Sequence, residues 1–322
     1  MKTIPIILAI ISLSTACSKE NAVTIPIDED QESVVLPDPA TAALSDSSLK
    51  PLRDVALYEI KQALPTMVAI AGGRFMMGTD DVEHDAEKRA SPAHQVDLGS
   101  FAMAETLVTQ RLWNLFIEDC GYTGYPFAHE YYGSLAENSQ GDDSPAIFLT
   151  WSEAVVFCNW LSNRLGLQPA YRIDGELDPV IRGGIDVEWM RGVNGYRLIT
   201  EAEWEYVILE KDTKREDLYT LYENAFNTKQ QRKVPSVFTG QRTSSGVLAY
   251  PNFGIREWTW DEFMVYGPDP LVDPTGQSGL SSDGNRKVNR YFIDKRLFNR
   301  LTTHKEDSPG EFICIRLAQD IL

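Results

Sequence analysis

Cysteine, histidine and positive charge are all scarce in this chain. Four cysteines, Cys17, Cys120, Cys158 and Cys314, are scattered over 322 residues. No close pair therefore offers two soft thiolates to a transition metal. The four histidines, His84, His94, His129 and His304, include no two at helical spacing, so no pair of imidazoles shares one helix face. Lysine and arginine total 30 against 47 aspartates and glutamates, a net charge of −17. That balance argues against nucleic acid as a partner, because phosphate binding needs a basic face. It implies a solvated acidic surface suited to solubility, to cations or to a basic partner. Long apolar runs are missing too. The stretch from Ile4 to Leu13 is shorter than the roughly 20 residues that span a bilayer as a helix.

What is present is a globular composition, 43% hydrophobic and 10% aromatic, enough for one large domain or two small ones. The N-terminus reads as an export signal. Lys2 precedes the short apolar core, and "LSTACSKE" follows with small residues before a cleavage point. Cys17 after Ser14-Thr15-Ala16 resembles a bacterial lipobox, with Leu13 one place further away than in the usual pattern. On this reading residues 1–16 are a lipoprotein signal peptide. Cys17 is the lipidated first residue of a protein anchored in the cell envelope, periplasm-facing or surface-exposed. Plain secretion with an incidental cysteine is the alternative. Residues 17–60 form an acidic tether, rich in carboxylates, Pro, Ser and Ala and without a period able to bury a face. A short helix from Leu52 to Leu64 opens the body. No second linker follows, so residues 61–322 read as one domain.

Within that domain, "MVAIAGGRFMMGT" predicts a hairpin turning at Gly72-Gly73, and "HQVDLGSFAMA" a further strand. "ETLVTQRLWNLFIEDC" takes up a helical period, with Thr109 as cap and Leu112, Phe116 and Ile117 on one face. "LTWSEAVVFCNWLSNRLG" is a stronger helix. Thr150 and Glu153 have the spacing of a capping box, Ala154, Phe157, Cys158 and Leu161 form its stripe, and Gly166 ends it. "GYRLITEAEWEY" repeats the device with Thr200 and Glu203, burying Trp204, Val207 and Ile208. "REWTWDEF" alternates as a half-buried strand, with Trp258 and Trp260 opposite Glu257, Thr259 and Asp261. "GEFICIRLAQD" alternates as well, with Phe312, Cys314 and Arg316 on one side.

This ordered set of motifs resembles the formylglycine-generating enzyme family, the sulfatase-modifying factor domain, over roughly residues 65–320. The resemblance implies an α+β fold, a variant of the C-type lectin-like fold with few helices and much irregular backbone. Family members include copper-dependent oxidases, iron-dependent enzymes, non-catalytic envelope lipoproteins and variable ligand-binding proteins, so fold does not settle function. The oxidases resemble one another in a cysteine pair near the C-terminus. The matching positions here are Phe292 and Leu297 in "NRYFIDKRLFNRLTTH", and neither can ligate copper. The iron branch needs a histidine cluster that this chain lacks. Calcium, which family members often bind, would draw on Glu257, Asn252 and Asp261. Cys158 and Cys314 match positions bridged in some members, so the resemblance implies a disulfide, with two buried free thiols as the alternative.

The reading that follows is a non-catalytic, membrane-tethered binding or scaffold protein with an envelope protein as partner. The alternatives are a divergent metal-dependent oxidoreductase and a glycan or small-ligand receptor. The stretch "YTGYPFAHEYYGS", with Tyr122, Tyr125, Tyr131 and Tyr132, supplies candidate binding rings, unless those rings pack a long loop onto the body. No catalytic residue is assigned. Replacing Cys17 with Ser should release the protein into the soluble fraction. Sedimentation with membranes at the wild-type level would refute the lipid anchor.

Overall fold

The first apolar run is cut in two by its glycines, and the halves part company. Strand β1 (Met67–Ile70) pairs antiparallel with β4 (Phe101–Ala104), while β2 (Gly73–Met77) pairs antiparallel with β3 (His94–Leu98). The two segments belong to different sheets, which corrects the expected hairpin. The physical reason is close packing at Gly72, where an added Cβ would sit 2.2 Å from the Leu98 carbonyl oxygen. The glycine lets one backbone cross another rather than turn back on itself. Gly99 and Ser100 likewise divide "HQVDLGSFAMA" into β3 and β4 instead of one strand.

The computed structural model describes residues 50–82, 87–120, 141–174, 186–208, 236–250, 255–276, 286–291, 300–304 and 313–321. Among them are four α-helices: α1 (Lys50–Ala63), α2 (Gln110–Cys120), α3 (Trp151–Arg164) and α4 (Glu201–Ile208). The remaining strands are β5 (Tyr171–Asp174), β6 (Asp186–Trp189), β7 (Arg197–Leu198), β8 (Gln241–Arg242), β9 (Leu248–Ala249), β10 (Arg256–Glu262), β11 (Leu271–Val272), β12 (Arg286–Tyr291), β13 (Arg300–His304), β14 (Ile313–Ile315) and β15 (Leu317–Asp320). One sheet runs β1-β4-β15-β7, a second β13-β12-β10-β14, and a third β11-β3-β2. Strands β5–β6 and β8–β9 form two-stranded ribbons. The architecture is α+β, with small sheets and few helices.

Both capping boxes form. At α3 the Glu153 amide donates to Thr150 Oγ1 at 3.1 Å, and the Thr150 amide donates to Glu153 Oε2 at 2.6 Å. At α4 the same pair of bonds links Glu203 and Thr200 at 3.1 and 2.8 Å. Each box satisfies amides that have no partner inside the helix. Gly166, with φ +69°, ends α3 in the left-handed conformation that glycine adopts without strain. Ala154, Phe157, Cys158 and Leu161 are buried as the period requires. They join Leu112 and Phe116 of α2 and Ile313 and Ile315 of β14 in the larger core cluster. Trp204 lies in a second cluster, with Phe75, Val96, Met103 and Ile199. Ile60 of α1 is buried in the first cluster, so the helix that follows the acidic stretch is tied into the body.

Strand β10 differs from expectation. It is buried on both sides rather than one, with Glu257, Thr259 and Asp261 as enclosed as Trp258, and its register with β12 shifts between Trp258 and Glu262. Burial of that polar side is possible because each group has a partner. Thr259 Oγ1 donates to the Val288 carbonyl at 3.0 Å, and the two carboxylates are engaged as described below. Two buried indoles here are satisfied as well: Trp258 Nε1 donates to the Leu149 carbonyl at 2.8 Å, and Trp151 Nε1 to that of Thr259 at 3.0 Å.

This packing predicts a graded response in denaturant unfolding. Thr200→Ala should cost about 1 kcal/mol through the lost cap. Trp204→Ala should cost about 3–5 kcal/mol, because the indole is 1% exposed and leaves a cavity.

Candidate functional site

Among the described residues, four buried lysine and arginine cations draw the elements together, and each lies on or beside a strand. Arg197 of β7 grips Glu203 with two guanidinium nitrogens at 2.8 and 2.7 Å and reaches Asp320 of β15 at 2.7 Å. Arg290 of β12 donates to Glu201 at 3.0 Å and to Glu205 at 2.8 Å. The other oxygen of Glu205 accepts the Gly78 amide at 2.6 Å, which ties α4 to the end of β2. Arg316, between β14 and β15, holds both oxygens of Glu257 at 2.7 and 3.0 Å and donates to the carbonyls of Ala104, Glu105 and Leu248. Lys287 of β12 donates to Glu262 and to the Trp260 carbonyl, both at 3.3 Å. Its ammonium sits 4.2 Å from the Trp151 ring centre and 4.9 Å from that of Trp260, in cation–π contact.

The carboxylates of "TEAEWEY" are thereby accounted for. Glu201 and Glu205 bind Arg290, while Glu203 closes the cap and binds Arg197. Their roles are architectural, and a segment dense with acid groups folds because each enclosed charge meets an opposite one. The described part of "NRKVNRYFID", residues 286–291, is likewise interior: Lys287, Asn289 and Arg290 are buried.

The expected site residues fare unequally. Glu257 spends both oxygens on Arg316. Asp261 accepts the Glu201 amide at 2.6 Å. Asn252 lies outside the described residues, as do Cys17, Tyr122, Tyr125, Tyr131, Tyr132, Phe292 and Leu297. The two described carboxylates of the expected calcium set are thus both engaged with protein partners. No group of three or more His, Cys, Asp or Glu among the described residues could hold a metal.

The expected bridge between Cys158 and Cys314 does not form, and both are free, buried thiols. The cause is strand alternation. Ile313 and Ile315 point into the cluster that contains Cys158, so Cys314 between them points into a third cluster with Leu107, Val237 and Tyr250. There its thiol donates to the Arg256 carbonyl at 3.0 Å. Burial pushes both thiols above the ordinary range, so neither is poised as a thiolate.

The local sequence pattern marks α4 and the tryptophans but not Arg197, Arg290, Arg316 and Lys287 as organisers. A readable signal existed. Each arginine is flanked by an apolar or aromatic neighbour in a short strand context, "YRL", "NRY" and "IRL", and a cation at such a place is buried only with a partner.

Comparisons with known proteins agree with this scaffold. The sulfatase-modifying factor enzyme 1-like domain family matches residues 55–321. "Chaperone protein LppX" of Paenibacillus barcinonensis is 30% identical, over 44% of this chain and 44% of its own length. The chain thus spans less than half of that relative. "Inactive C-alpha-formylglycine-generating enzyme 2" of Mus musculus is 30% identical over 73% of this chain and 81% of its own. "Formylglycine-generating enzyme" of Bos taurus is 26% identical over 80% and 75%. Among solved structures, "Treponema denticola variable protein 1" superposes with a TM-score of 0.56 at 23% identity, over 79% of this chain and 95% of its own, a likeness of fold.

Asp261 supplies a pH test. Burial first, then the neighbouring Glu201 carboxylate, pushes its pKa up to about 7, from about 3.9 in the unfolded chain. Between those values the folded state holds a proton that the unfolded state releases. This group's contribution is full below the unfolded value and is lost as pH rises through about 7. Asp261→Asn keeps an acceptor for the Glu201 amide and removes the titration. Its stability relative to wild type should therefore rise between about pH 4 and pH 7 and level off above that in urea unfolding. A difference independent of pH would refute the assignment.

Proposed function

Because the chain belongs to the sulfatase-modifying factor enzyme 1-like family, we propose that it is a non-catalytic, membrane-tethered envelope protein that binds or scaffolds a protein partner. One observation carries this reading: among the described residues no two cysteines come together to serve as a copper centre. Residues 280–313 contain no cysteine, and Cys314 and Cys158 are buried and turned into separate core clusters. Cu(I) requires soft ligands close together, and the described donors do not fit it. Two names among the relatives run the same way, one an inactive formylglycine-generating enzyme and the other a chaperone. The basic, apolar and small-residue order of the N-terminus supports the membrane tether. The acidic stretch behind it supports a body held off the surface.

The test is to incubate the purified protein with Cu(I) and a cysteine peptide of sulfatase type, and to look for the aldehyde by mass. The expected result is neither tight copper nor aldehyde. Stoichiometric copper binding with turnover would overturn the non-catalytic reading.

A further inference from the structure

Phe238 stands apart from the other described phenylalanines. Phe75, Phe101, Phe116, Phe148 and Phe157 are buried and Phe263 is half-buried, whereas Phe238 is 64% exposed. It occupies the middle of a single 3-10 turn, Val237–Thr239, and that turn is braced from several directions. The Phe238 amide donates to Ser236 Oγ at 3.3 Å, and Thr239 Oγ1 donates to the Ser236 carbonyl at 2.7 Å. The Val237 amide donates to the Asp143 carbonyl at 2.8 Å, and the Tyr250 hydroxyl to the Val237 carbonyl at 2.5 Å. Val237 itself is fully enclosed in the third core cluster. A ring held outward on so constrained a backbone loses little freedom when it is bound. Aromatic anchors of this kind dominate protein–protein binding energy.

The bond from the Val237 amide to the Asp143 carbonyl joins this turn to the 141–144 segment, where Asp142 and Asp143 are exposed. We infer that Phe238, Asp142 and Asp143 form a docking corner for a protein that offers an apolar pocket rimmed by lysine or arginine. This rests on the binding or scaffold reading above and names the chemistry of its partner. Charge selects among occupants. A net charge of −17 repels a second copy of the chain, and an acidic corner repels an anionic lipid surface, whereas both attract a basic protein face.

The test uses the full chain in intact cells, with p-benzoylphenylalanine replacing Phe238, Met76 or Tyr58 in separate variants. Met76 and Tyr58 are exposed elsewhere. The expected result is one discrete protein adduct at position 238. It should fall at least about tenfold in an Asp142→Lys/Asp143→Lys background whose thermal midpoint is unchanged. Protein adducts at 76 or 58 but not at 238 would overturn the corner and leave the scaffold reading standing. An adduct at 238 indifferent to charge reversal would overturn the basic partner. A lipid adduct there would overturn a protein occupant. Absence of protein adducts at all three positions would count against the corner and the scaffold reading together.

Discussion

The guanidinium of Arg316 is the contact through which the separate sheets become one body. It lies between β14 of the second sheet and β15 of the first. From there it reaches Glu257 on β10, the carbonyls that end β4, and Leu248 on β9. Small sheets of this kind cannot each enclose a core, and backbone ladders do not run from one to the next. A fork of five donors can bind a carboxylate and several carbonyls at once, which no apolar side chain and no lysine can do. The cost is that the charge is wholly enclosed, so losing either member of the Arg316–Glu257 pair would leave its counterpart uncompensated.

Arg197 and Arg290 repeat the arrangement on either side of α4. That helix is only eight residues long, too short to be stable by itself. It is held by its capping box, by Trp204 in the second cluster and by three glutamates that each meet a buried arginine. The density of acid groups in this stretch is thus a way of clamping a short helix among sheets. It also explains why the interior of such an acidic chain carries its cations: they neutralise carboxylates that the fold has drawn inward.

The same architecture bears on function. The family fold is held here by buried ion pairs, and its two described core cysteines, Cys158 and Cys314, lie in separate clusters. Alternation along β14 turns one thiol away from the other, and burial keeps both protonated. A scaffold of this sort can present surface segments without doing chemistry at its centre. The bovine and murine relatives, one named for formylglycine generation and the other named inactive, show that the fold is compatible with both.

Local pattern by itself determined the helices and their ends. Capping boxes at Thr150 and Thr200, the stripe of α3 and the stop at Gly166 depend on residues a few positions apart, and they formed as read. The ordered motifs identified the family for the same reason, since they are contiguous in the chain. Tertiary structure alone decided which strands pair, so the Gly72-Gly73 hairpin became a crossing between sheets because Leu98 approaches from far along the sequence. It alone buried the polar face of β10, because the compensating groups, Arg316 and the Glu201 amide, come from distant segments. It separated Cys158 from Cys314, because a strand's two faces lead to different cores. Which carboxylate meets which guanidinium is long-range information, and no spacing along the chain encodes it.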